Sequence, residues 1–215
     1  MLSSQFQGYL AVPGGGKGLG VLVLHPWWGL NDTMKGVCDR LAREGFIACA
    51  PDLYHGQVAV TIEEAELLSS ELDPEQAKAD IAHAVDLLWE RVDPEGQGLG
   101  VMGFSLGAYY ALGLSVDDPD RMRAVVLFYG TGPGDYRRSK AAYLGHFAQI
   151  DDYEPATEVN GLETALRTSG RPVTFYRYEG LGHWFFEPDR PDAYNQSAAQ
   201  LAWERTVSFL RNTLA

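Results

Sequence analysis

Three kinds of side chain that together turn a hydroxyl into a nucleophile stand in one order along this chain: a serine between glycines, a pair of aspartates, and a histidine beside a glycine. The serine is Ser105, in Gly103-Phe104-Ser105-Leu106-Gly107. A free hydroxyl attacks a carbonyl poorly because it must shed its proton. A neutral imidazole takes that proton and later returns it to the leaving group. A carboxylate behind the imidazole fixes its tautomer and stabilises its charged form. The chemistry such a set performs is acyl transfer through a covalent intermediate.

Of the five histidines, His183 in Gly180-Leu181-Gly182-His183-Trp184 follows the last expected strand and precedes the closing helix, and is the candidate base. His83 falls within an expected helix, His55 follows a strand exit, and His146 sits inside an expected strand; surface, loop and packing roles suit them. His25 ends the first strong strand, directly before Pro26-Trp27-Trp28-Gly29, and is expected to shape a loop of the site. The acid is expected at Ile150-Asp151-Asp152-Tyr153-Glu154-Pro155. Neighbouring strand-exit side chains point apart, so only one of Asp151 and Asp152 can reach His183, and position leaves the choice open. No His-Glu-x-x-His or Cys-x-x-Cys pattern occurs, so no metal or other cofactor is expected.

A Gly-x-Ser-x-Gly pentapeptide alone arises easily in a chain with 24 glycines. Its setting gives it weight, because Ser105 must sit on a sharp turn between a buried strand and a helix. Continuous apolar runs predict strands over Gly18 to His25, Phe46 to Pro51, Gly98 to Phe104, Ala124 to Gly130, Tyr143 to Ile150 and Pro172 to Tyr178. Burial on both faces, as in a parallel sheet between helices, produces such runs. Helical spacing follows over Asn31 to Glu44, after Thr61 with Glu64, after Asp73-Pro74, over Ala108 to Leu114, and over Tyr194 to Leu214. Strands alternating with helices predict a doubly wound, mostly parallel sheet with its ligand site at the carboxyl ends of the strands. Gly14-Gly15-Gly16 reads as a turn, since the Lys-Ser/Thr pair of a phosphate loop is missing.

The 215 residues, 46% hydrophobic and 21% charged, suit one globular domain, residues 1 to 215, rather than a disordered chain. Lys and Arg number 17 against 29 Asp and Glu, a net charge of -12, so nucleic acid and anionic membrane surfaces are unlikely partners by repulsion. Met1 to Gly8 lacks a basic region leading into an apolar stretch, so a cytoplasmic location is expected. Cys38 and Cys49 read as buried thiols, and a monomer or homodimer is expected.

The chain resembles the dienelactone hydrolase family, a cap-free branch of the α/β-hydrolases, over nearly its whole length. The resemblance rests on His25-Pro26-Trp27-Trp28-Gly29-Leu30-Asn31, Ala50-Pro51-Asp52-Leu53-Tyr54, Gly103 to Gly107, Asp151 to Pro155 and Gly182-His183-Trp184-Phe185. It implies an α/β-hydrolase fold, a mostly parallel central sheet with helices on both faces and no large cap domain. The family's acid precedes a proline in Asp-x-x-x-Pro, which selects Asp151. The family's oxyanion hole implies the amides of Leu106 and Trp27. Members acting on dienelactone carry a cysteine nucleophile where Ser105 stands, a glutamate where Pro26 stands, and a carboxylate-binding arginine where Glu187 stands. The implied substrate is a small-molecule carboxylic ester or lactone rather than dienelactone itself.

Trp28, Tyr54, Phe104 and Trp184 lie near expected strand exits and could line an aromatic substrate pocket, with core packing as the competing role. Pro133 to Lys140 is expected to form a flap. Thioester hydrolysis or acyl transfer would use the same triad, and a non-catalytic hydrolase-fold binding protein is the rival from another class.

Overall fold

A computed structural model describes residues 6–92 and 97–215. The N-terminal residues 1–5, part of the stretch read for an export signal, lie outside the described residues. Seven strands form one sheet: β1 (Gly8–Ala11), β2 (Leu19–Leu24), β3 (Phe46–Pro51), β4 (Leu99–Phe104), β5 (Met122–Phe128), β6 (Ala142–Ala148) and β7 (Val173–Tyr178). Their spatial order is β1-β3-β2-β4-β5-β6-β7, and only β1 is antiparallel to its neighbour.

β2, β3 and β4 carry almost uninterrupted apolar sequence because both faces of the sheet are covered. Helices α1 (Asp32–Arg43) and α6 (Gln196–Leu214) cover one face, where Met34, Leu41, Trp203 and Leu210 meet Val23, Met102 and Val126. Helices α3 (Pro74–Trp89), α4 (Leu106–Asp117) and α5 (Ala156–Thr168) cover the other, where Ile81, Leu88, Ala111 and Leu162 meet Leu22, Val101 and Val125. Helix α2 (Ile62–Glu71) lies apart, against Trp28 through Ala65.

The helix starts follow the residues that signal them. Asn31 accepts from the Met34 amide at 3.0 Å and caps α1. Thr61 and Glu64 form a reciprocal capping box on α2. Asp73 caps α3, with Pro74 in the first helical position, where a missing N–H costs nothing. The Gly14-Gly15-Gly16 segment is a turn closed by the Gly16 amide on the Pro13 carbonyl at 2.8 Å.

Two elements had no strong sequence signal. β1 is a short edge strand, half exposed, on β3. Helix α5 begins directly after Pro155, without a side-chain cap. The Pro133 to Lys140 segment, expected as a flap, is tied down: Tyr136 is buried and donates to the Gly132 carbonyl at 2.8 Å. Cys38 and Cys49 are free and buried.

The chain runs outward from β2 to β3 and then returns to the other side of β2 with β4. The sheet's direction of winding therefore reverses between β2 and β4, and doubly wound sheets place their ligand sites at the carboxyl ends of such strands. The loop after β2 begins at His25, and the turn after β4 is Ser105.

Candidate active site

Ser105 occupies the turn between β4 and α4 with φ 48° and ψ -111°, a region that non-glycine residues rarely enter. The turn is tight because a strand and a helix leave it almost in contact. A side-chain carbon on Gly103 would lie 2.4 Å from the Gly107 carbonyl oxygen. One on Gly107 would lie 2.2 Å from the Leu24 carbonyl oxygen and 2.8 Å from that of His25. The pattern therefore needs glycine at both positions, and the close approach brings the first turn of α4 against the exit of β2. The Ser105 amide donates to the Phe128 carbonyl at 2.9 Å and pins the elbow to β5.

His183 follows β7 and precedes α6 in chain order. Its Nε2 lies 3.1 Å from Ser105 Oγ, and its Nδ1 lies 2.9 and 2.8 Å from the two oxygens of Asp151. A carboxylate only accepts, so Nδ1 carries the proton and Nε2 is free to accept from the serine hydroxyl. The Asp151 and His183 side chains are 3% and 5% exposed. Asp151 Oδ1 also accepts the amides of Tyr153 and Glu154, at 3.0 and 2.9 Å. Asp152 is exposed. Of the two aspartates it is Asp151 that reaches His183, and the loop folds two of its own amides back onto that carboxylate.

Leu106 is the first residue of α4, so its N–H has no partner within the helix. Trp27 lies in the loop after β2, where the Gly29 amide donates to the Pro26 carbonyl at 3.1 Å. Close approach of Gly107 to the β2 exit sets the first turn of α4 against Leu24 and His25, two residues before Trp27.

The aromatic residues divide into two groups. Trp184 and the exposed Tyr153 flank the His183 ring, at 5.2 and 5.1 Å between centroids, and Trp27 lies 5.5 Å from Tyr153 and 6.1 Å from Trp184. These rings wall the outer side of the histidine. Trp28 is buried behind them, with the Arg190 guanidinium 3.6 Å above its ring. Tyr54 is buried with its ring 5.1 Å from that of His25. Phe104 does not line a pocket. Alternation along β4 turns it away from the Ser105 side and into the core, where it stacks on Phe128 at 4.7 Å and packs against Phe186 at 5.6 Å.

The remaining histidines are engaged elsewhere. His55 lies beside Gln7 and Asp80 at the surface, and His83 packs against Phe6. Buried His146 meets the Tyr178 hydroxyl at 2.9 Å and Thr206 at 3.1 Å, and burial lowers its pKa to about 3. Among the described residues no group of three or more His, Cys, Asp or Glu could hold a metal ion.

Three residues around Asp151 and His183 have contacts that the sequence did not indicate. Tyr129 packs on His183 at 4.8 Å and donates to Glu187 Oε1 at 2.6 Å. Glu187 is fully buried, and burial raises its pKa from 4.5 to about 8. Glu154 accepts from the Thr131 amide at 3.0 Å and from its hydroxyl at 2.5 Å, tying the loop that carries Asp151 to the end of β5. No local pattern marks these roles, since each depends on contacts across loops distant in sequence.

A serine on a strained strand-to-helix turn of a mostly parallel sheet, with histidine after the last strand, defines the α/β-hydrolase class. The fold is shared with a dienelactone hydrolase-like promiscuous phosphotriesterase from metagenomic libraries, at TM-score 0.80 and 21% identity, covering 93% of this chain and 88% of that one. The chain belongs to the dienelactone hydrolase family, whose profile matches residues 6–214, and is a hydrolase. It is 33% identical to Protein usf of Aquifex pyrophilus over 97% of this chain and 94% of that protein. It is also 30% identical to a provisionally named carboxymethylenebutenolidase of Aquifex aeolicus, with the same coverage.

Proposed function

We propose that this protein, as one domain, cleaves small carboxylic esters or lactones through an acyl-enzyme on Ser105. The observation that carries this reading is the continuous relay from Asp151 through His183 to Ser105 Oγ, with Nε2 at 3.1 Å from the hydroxyl. Ser105 Oγ attacks the substrate carbonyl carbon while His183 Nε2 takes its proton. The carbonyl oxygen gains the negative charge and lies between the amides of Leu106 and Trp27. Collapse of the tetrahedral intermediate breaks the bond to the leaving oxygen, which receives the proton from Nε2. Water then repeats the sequence on the acyl-enzyme and frees the acid. Asp151 faces Nδ1 with both oxygens and holds the imidazole in one tautomer.

The wall of Trp27, Tyr153 and Trp184 suits a small acyl or aryl group. Glu187 supports an uncharged substrate over an anionic one. It is a buried carboxyl at the position where the dienelactone-cleaving members carry their carboxylate-binding arginine, and it is occupied by Tyr129.

The test is the initial rate of short-chain p-nitrophenyl ester and butyrolactone hydrolysis by the wild type and Ser105→Ala. Turnover by the wild type that falls to background in the variant supports the reading. Equal rates overturn it in favour of a binding protein of the same fold. Turnover of acyl thioesters alone moves the activity to thioester chemistry on the same triad.

A further inference from the structure

We propose that His25 is a positioning residue of the oxyanion site, fixing the Pro26–Trp27 peptide plane so that the Trp27 N–H faces the reacting carbonyl. The proposal rests on the reading of Ser105 as an acylated nucleophile. His25 is fully buried at the exit of β2, and both ring nitrogens are engaged. The Leu53 amide lies 3.1 Å from Nε2, and the Pro26 carbonyl oxygen lies 2.7 Å from Nδ1. An amide N–H can only donate, so Nε2 accepts and the ring is the neutral Nδ1–H tautomer. Nδ1 therefore donates to the Pro26 carbonyl.

That carbonyl and the Trp27 N–H belong to one peptide group. The peptide is planar and trans, so its C=O and N–H point in opposite directions. Two donors, His25 Nδ1 and the Gly29 amide, hold the carbonyl. Turning the peptide over would strip both bonds from a buried oxygen and aim the carbonyl, a dipole of the wrong sign, at the developing anion. The ring is held from behind by Tyr54, at 5.1 Å, and through Leu53 by the exit of β3. His25 thus ties the loops after β2 and β3 together and sets which end of one peptide dipole faces Ser105.

Two substitutions separate this role from simple packing. His25→Phe keeps a ring and removes both nitrogens, while His25→Asn keeps a donor where Nδ1 stands. In ester hydrolysis, His25→Phe is expected to lower kcat by about 100-fold with KM little changed, the effect of losing one oxyanion donor. Inhibition by a trifluoromethyl ketone, which forms an oxyanion on Ser105, is expected to weaken by a similar factor. His25→Asn is expected to regain about tenfold of both, as a donor to the Pro26 carbonyl returns. Wild-type kcat in a folded His25→Phe, or lost kcat with unchanged ketone inhibition, overturns the proposal while leaving the hydrolase reading intact. A wild type that hydrolyses no ester overturns the hydrolase reading itself. Nitrogen-15 NMR of wild-type His25 reads the geometry without activity or a variant: Nδ1–H with bare Nε2 upholds the hold on Pro26, and Nε2–H overturns it.

Discussion

Asp151 meets His183 with both carboxylate oxygens, 2.9 and 2.8 Å from Nδ1, and one of those oxygens also accepts the amides of Tyr153 and Glu154. The carboxylate is therefore oriented by its own loop as well as by the imidazole it faces. Glu154 extends the support, because its carboxylate anchors that loop on Thr131.

Asp151→Asn leaves the shape of this arrangement and removes its polarity, since an amide nitrogen can face Nδ1 only if the imidazole changes tautomer. The expected result is a fall in kcat of about 10,000-fold. Asp152→Asn, at an exposed side chain, is expected to keep kcat within about twofold. Steady-state kinetics on one ester checks both, and equal losses would contradict the assignment of the acid.

Phe104 sits beside Ser105 in sequence and away from it in space, stacked on Phe128 in the core. Phe104→Ala is expected to cost about 3–5 kcal/mol of stability, as for other large side chains truncated in a core. Denaturant unfolding measures that loss. KM of the folded fraction is expected to stay close to that of the wild type, and a large rise in KM with little loss of stability would return Phe104 to the pocket.

Burial raises the Glu187 pKa from 4.5 to about 8, so between those values the folded chain keeps a proton that the unfolded chain releases. Stability consequently falls as pH rises through that window, because the folded state binds more protons than the unfolded one. Glu187→Gln removes the titration and keeps an acceptor for the Tyr129 hydroxyl. The melting temperature of the wild type is expected to fall relative to the variant from about pH 5 to about pH 8. Parallel profiles would contradict a buried, protonated Glu187.

Strands β2 to β7 and helices α1 to α4 and α6 were legible because their signals are local. Parallel strands buried on both faces leave unbroken apolar runs, and Asn31, Thr61 and Asp73 mark helix starts by their own hydrogen bonds. Ser105 was legible because its turn demands Gly103 and Gly107 for backbone clearance. β1 escaped because four edge residues, of which only Ala11 is buried, carry little pattern. Phe104 was misplaced because nearness along the chain ignores strand alternation. Tyr129, Glu187 and Arg190 meet partners brought from other strand exits, and only the assembled fold reveals them.

The measurement that bears most directly on the central claim is intact-protein mass spectrometry after rapid quenching of a p-nitrophenyl ester reaction. The account expects one acyl group added to the wild type, located by peptide mapping on Ser105 and absent from Ser105→Ala. An acyl group on another residue, or turnover with no covalent intermediate and unchanged rate in Ser105→Ala, would contradict it.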